Sequence, residues 1–167
     1  MAFSYDFFND SVNEFVNRNF NKDSKILDIG AGAGKYGKML NNNFHIDAVE
    51  IFKPNIEMYA LGTIYKNVFN VSVVDFNFNL NQYSLVIMGD VLEHLSISDS
   101  QKVLDKIKKA NASILVLVPY EYHQGIMENN EAEIHLQDDL TEDIFHARYP
   151  GFVKVFGNHL QGVFFKK

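Results

Sequence analysis

Apolar positions along the chain fall into two spacings. Over residues 5–20, Phe8, Val12, Phe15, Val16 and Phe20 recur at helical intervals, which predicts an amphipathic helix laid on a core. Lys25–Ile29 is then a short apolar strand that runs straight into Gly30-Ala31-Gly32-Ala33-Gly34, and a helix holding Tyr36, Met39 and Leu40 follows. His45–Glu50 reads as a second strand. Pro54 suits the first turn of a short helix, where its missing N–H costs nothing. Ile64–Val74 is β-rich and irregular, and Ser84–Met88 is a continuous apolar strand. Ser98 and Gln101 form a capping box for a helix that reaches about Ala110, and Ser113–Val118 is another apolar strand, stopped by Pro119.

Apolar runs without alternation indicate strands buried on both faces, as in a parallel sheet covered by helices. Strand and helix alternate along most of the chain, which is the α/β pattern. The tail departs from it. Thr141 caps a short helix ending before Pro150, and Phe152–Phe156 and Leu160–Phe165 form a hairpin around a tight Gly157-Asn158 turn. The 167 residues suit a single domain, with residues 1–22 as a cover helix and the polar segment 121–140 as a lid or acceptor-binding insertion; a solvated loop is the alternative for that segment.

Composition narrows the function. With 47% hydrophobic and 14% aromatic residues the chain can fill a core. The net charge of −6 and the scatter of the basic residues disfavour a nucleic-acid partner, which would need a basic stripe. Lys106, Lys108 and Lys109 cluster on one helix and read as a solvated face. The absence of cysteine excludes disulfides, zinc–thiolate sites and thiol catalysis. No signal-like segment opens the chain and no apolar run approaches the ~20 residues of a membrane span, so a cytoplasmic protein without membrane contact is expected.

The glycine turn carries the strongest chemical signal. A strand that ends in a glycine-rich turn and a helix presents backbone amides to a ligand and lets it approach closely. Gly32, Gly34 and Gly37 fit the dinucleotide string G-x-G-x-x-G, which alone is weak. Asp28, at the strand's end, would repel a pyrophosphate and attract the cationic amino group and sulfonium of S-adenosylmethionine; the alternative is a carboxylate that binds only the loop's amides. Glu50, about 20 residues on, is placed to accept both hydroxyls of a ribose, whichever adenosine cofactor is bound. Ile51 and Phe52 stand where an adenine could pack, or are simply core.

Together the strings Ile26-Leu-Asp-Ile-Gly-Ala-Gly-Ala-Gly34, Glu50 and Ser84-Leu-Val-Ile-Met-Gly-Asp-Val-Leu-Glu-His-Leu95 resemble the class I S-adenosylmethionine-dependent methyltransferases, in the family's order and spacing, over roughly residues 24–120. The resemblance implies a Rossmann-like three-layer α/β sandwich with a mostly parallel sheet in the order 3-2-1-4-5-7-6 and an antiparallel last strand. It implies that Gly30, Gly32 and Gly34 lie along the methionine part of the cofactor, and Asp28, Ala31 and Tyr36 are counted with them as cofactor-binding. Glu50 would hold the ribose, with Ile51 and Phe52 beside it, and Gly89 and Asp90 would face the transferable methyl. For the adenine, Asn70-Val71 fits the family's spacing and Asp75-Phe76 its residue type; Asn70 is favoured.

Methyl transfer from a sulfonium needs alignment above all, and a base only where the acceptor must lose a proton. Asp90, His94, His123 and His135 are the candidates, with a structural histidine as the alternative for His94. Some family members use a divalent metal. Glu121, His123, Glu133 and His135 match no tight ligand spacing, so no metal is expected. A small-molecule acceptor is expected. The rival readings are a nicotinamide-dependent oxidoreductase and a non-catalytic nucleoside-binding module of the same fold.

Overall fold

A computed structural model describes residues 5–76, 82–127 and 129–167. Seven strands form one sheet in the order β3-β2-β1-β4-β5-β7-β6. The strands are β1 (Lys25–Ile29), β2 (His45–Val49), β3 (Val68–Phe69), β4 (Leu85–Gly89), β5 (Ser113–Pro119), β6 (Val153–Gly157) and β7 (Gln161–Lys166). β1 to β5 are parallel, and β7 enters antiparallel between β5 and β6. The helices are α1 (Asn9–Asn19), α2 (Lys35–Leu40), α3 (Lys53–Met58), α4 (Ile97–Lys109) and α5 (Glu142–Arg148). Among the described residues no helix is long and apolar enough to cross a membrane.

The period-2 alternation of the strands splits the core into two layers. Val12 and Val16 of α1 and Tyr36 and Leu40 of α2 pack with Ile26, Ala48 and Ile87 on one face of the sheet. Val103 and Ile107 of α4 and Phe145 of α5 pack with Leu27, Ile29 and Met88 on the other. Phe145 stacks on Phe164 of β7 with ring centroids 3.8 Å apart, which fastens the terminal hairpin to the sheet.

Three local expectations are corrected. Ile64–Val74 forms only the two-residue β3, because Val71 N–H turns back to the Phe69 carbonyl and the Asn70 amide caps the Glu50 and Ile51 carbonyls, ending the ladder. The cap of α4 is Ser96 rather than Ser98: Ser96 Oγ accepts the Asp99 amide at 3.1 Å and donates to Asp99 Oδ2 at 2.8 Å. The extended ψ of 153° at Ser96 starts the helix there and leaves Ser98 inside its first turn. The terminal hairpin turns over residues 158–160, with Asn158 Oδ1 accepting the amides of Leu160 and Gln161, so Gly157 belongs to β6.

Candidate functional site

The carboxyl ends of β1, β2, β4 and β5 meet at one edge of the sheet, where open α/β folds bind ligands. A crevice of about 610 Å³ lies there. Gly30, Ala31 and Gly32 form its floor. Gly30 has φ 72°, and a Cβ on it would stand 2.4 Å from Val91 Cγ2, so only glycine lets the turn pass under the β4 loop. The Gly30 amide donates to the Val49 carbonyl at 2.8 Å, which ties the turn to the end of β2.

Glu50 sits directly after β2 and is buried, with 4% exposure, on the crevice wall. Its Oε2 accepts the Gly32 amide at 2.7 Å and its Oε1 the Phe52 amide at 2.8 Å. Burial raises its pKa above the usual carboxylate range, and the two amides partly restrain the shift. Ile51 and Val71 also line the crevice, as do Tyr36 and Gly89. Gly89 and Tyr36 are matched in shape: a Cβ on Gly89 would stand 2.3 Å from the Tyr36 hydroxyl oxygen.

At the other end Asp90 and His94 follow β4. Asp90 has φ 54°, and its Oδ1 accepts from Gln161 Nε2 at 3.1 Å. His94 Nδ1 lies 3.2 Å from the Ile134 carbonyl; burial lowers its pKa, and carbonyls of Ile134, Glu133 and Asp90 act against that. The segment after β5 closes this end, with Asn130, Ala132 and Glu133 lining the crevice. It is pinned to the core. Gln137 Nε2 donates to the Leu92 and Leu95 carbonyls at 2.9 and 3.0 Å, and the Leu136 and Gln137 amides donate to the Glu93 carbonyl.

Six sequence candidates, one of them the alternative for the adenine, lie elsewhere than expected. Asp28 is wholly buried in the α1–α2 layer, because strand alternation turns it away from the crevice. Its Oδ2 accepts from the Tyr65 hydroxyl at 2.5 Å and its Oδ1 has no partner among the described residues; burial pushes its pKa up to about 7. Gly34, with φ 78°, begins α2 and packs on Ile64 and Leu61, outside the crevice lining. Asn70 spends its amide on the Glu50 and Ile51 carbonyls, and Phe52 contributes its amide to Glu50 instead of a ring to the crevice. His123 is on the surface, its side chain 82% exposed and bound to Asp138 at 2.8 Å. Asp75, the alternative for the adenine, is exposed.

Four further participants, Tyr65, Ser72, Glu93 and Glu133, stood outside the expected cofactor and catalytic residues, Glu133 having been weighed only as a metal ligand. Tyr65 joins two of the motifs, donating to Asp28 and accepting from the Gly37 amide at 3.2 Å. Ser72 and Glu133 line the crevice. Glu93 is buried in the 3₁₀ turn Leu92–His94, and only its place in that string could have flagged it.

The chemistry of the wall separates the two cofactor classes. Asp6, Glu50, Asp90 and Glu133 line the crevice against Lys35 and Lys38. Lys35 is paired with Asp6, and Lys38 bonds the Ala33 carbonyl. This excess of carboxylates suits a cationic sulfur nucleoside and opposes a pyrophosphate.

A Rossmann-like sheet in this order, with a glycine turn and an acidic residue after β2, defines a class I methyltransferase, whose cofactor is S-adenosylmethionine. The chain belongs to the methyltransferase domain family, whose model matches residues 4–149. No curated protein sequence matches it. Its fold is similar to that of an S-adenosylmethionine-dependent methyltransferase from Leishmania major, at TM-score 0.71 and 16% identity over 96% of this chain and 74% of that one. It is similar also to such an enzyme from Aquifex aeolicus, at TM-score 0.64 and 17% identity over 92% and 87%. The N-methyltransferase NodS from Bradyrhizobium japonicum matches at TM-score 0.63 and 13% identity over 96% and 97%.

Proposed function

We propose that the protein transfers the methyl group of S-adenosylmethionine, in line, to a small-molecule acceptor. The observation that carries the reading is the carboxylate-lined crevice with Glu50 bonded to the Gly32 amide across the glycine turn. Bound there, the cofactor would supply a methyl on a cationic sulfur that departs as a neutral thioether and needs no acid.

The chain's own residues supply position and charge. Gly30, Ala31 and Gly32 offer a bare backbone floor, and Glu50 has lone pairs left for ribose hydroxyls after its two amide bonds. Ile51 and Val71 provide apolar faces for the adenine. Tyr36 fixes the backbone of Gly89, and Asp90 stands beside it with one oxygen held by Gln161. Asp90 is the group that takes a proton from an acceptor that must lose one. The pinned segment around Asn130 and Glu133 excludes water from that end and forms the acceptor's wall.

Calorimetric titration with S-adenosylmethionine and with NAD tests the cofactor, and tight binding of NAD alone would end the reading. Release of S-adenosylhomocysteine across an acceptor panel tests turnover. Binding without release on every acceptor, hydroxyl and amine alike, would identify a non-catalytic module.

A further inference from the structure

At the wall of the reacting end of the crevice lies a group of side chains the cofactor reading does not use. Glu93 is 0% exposed, and among the described residues neither carboxylate oxygen has a hydrogen-bond partner. The charges it feels are the carboxylates of Asp90 and Glu133, of its own sign. An isolated buried carboxylate is strongly disfavoured unless a cation or a proton joins it. Among the described residues no lysine or arginine does so. Instead two imidazoles face it: the rings of His94 and His135 meet edge to face, centroids 4.6 Å apart.

One ligand atom from each of Glu93, His94 and His135 lies within 4.8 Å of the other two. Donors about 2.0–2.2 Å from a tetrahedral zinc are about 3.4 Å apart, so each pair has to close by about 1.4 Å at most, within reach of side-chain torsions. Both histidines are also prepared as ligands. Nδ1 of His94 rests against the Ile134 carbonyl at 3.2 Å and Nδ1 of His135 against the Tyr122 carbonyl at 2.6 Å. A proton held on Nδ1 by a carbonyl leaves the lone pair on Nε2, which is how proteins orient imidazoles toward a metal. Rigid elements hold the three residues in place. The 3₁₀ turn Leu92–His94 carries two of them, and the Leu136 and Gln137 amides, bonded to the Glu93 carbonyl, bring His135 to it.

We propose that Glu93, His94 and His135 bind one divalent metal ion of the zinc type. Two imidazoles and a carboxylate are a donor set zinc accepts while keeping a coordination position open. Magnesium and calcium, which prefer all-oxygen shells, bind less well. The set differs from the four residues weighed on sequence, of which it keeps only His135; Glu121, His123 and Glu133 lie outside it, and Glu93 and His94 complete it. It does not depend on the cofactor reading. His94 lines the crevice, so the ion stands at its wall and the proton-accepting role stays with Asp90.

The test uses the full chain, stripped with chelator and titrated with zinc chloride and with cobalt chloride, in the absence of any cofactor. One equivalent per chain is expected by calorimetry, with visible ligand-field absorption for cobalt and a rise in melting temperature on adding zinc. His94→Gln and His135→Gln should each weaken binding at least ~10-fold, and His159→Gln, an exposed imidazole in the β6–β7 turn, should leave it unchanged. Glu93→Gln, nearly equal in volume, guards against misfolding: it should melt no lower than wild type without metal yet lose the metal-dependent rise. Absence of a saturable equivalent in the wild type overturns the proposal, as does undiminished binding in both folded histidine variants.

Discussion

Glu50 Oε2 accepts the amide hydrogen of Gly32 at 2.7 Å, which joins the residue after β2 to the turn after β1. The bond makes the acid part of the glycine turn as well as of the crevice wall. Glu50→Ala should therefore weaken S-adenosylmethionine binding by roughly 1–3 kcal/mol, the loss of a charged hydrogen-bond partner. Calorimetry on the folded variant measures it, and unchanged affinity would remove Glu50 from the site.

Gly32 has φ 50° and lines the crevice. Gly32→Val puts a β-branched side chain in a backbone conformation that disfavours it and into the ligand's space. Binding of S-adenosylmethionine should fall below detection by calorimetry while circular dichroism still reports the α/β fold.

Gly89 and Tyr36 test the floor from the other side. A Cβ on Gly89 meets the Tyr36 ring at 2.4 Å as well as its hydroxyl. Gly89→Ala should cost ~1–3 kcal/mol in urea unfolding, the usual penalty of overpacking a rigid contact.

Asp28 predicts a pH dependence. Its folded pKa of about 7 lies above the ordinary 3.8, so between these values the native state holds a proton that the unfolded chain releases. Stability contributed by this group falls as pH rises from about 4 to about 7 and is level beyond; the decline is a few kcal/mol at most. Asp28→Asn removes that share of the slope and should raise stability above neutrality, as urea midpoints measured from pH 4.5 to 8 would show. An unaltered slope would place the ionised form of Asp28 in the native protein.

Gln137 links the segment after β5 to the β4 loop through the Leu92 and Leu95 carbonyls, and its Oε1 accepts from the Tyr149 hydroxyl at 2.7 Å. Gln137→Leu leaves those buried groups unpartnered, at ~1–3 kcal/mol. Hydrogen exchange should quicken in residues 92–95 before it does in the sheet.

Much of this protein was written locally. The alternation of strands and helices could be read because apolar runs, the Gly30–Gly34 turn, the proline in the first turn of α3 and the Thr141 cap act within a few residues of themselves, while the order of the strands in the sheet came from the resemblance to the class I methyltransferases. Glu50 and Asp90 could be placed because each ends a strand, and strand ends share one edge in a parallel sheet. The aim of individual side chains was decided only by packing. Asp28 looks like a crevice acid in sequence, but the sheet's alternation turns it under α2 to Tyr65. Asn70 was taken up by two backbone carbonyls that only the β2–β3 edge brings together. The meeting of Glu93 and His94 with His135 depends on amides donated across the chain to the Glu93 carbonyl, and no spacing along the sequence encodes a contact made by folding two distant segments onto one another.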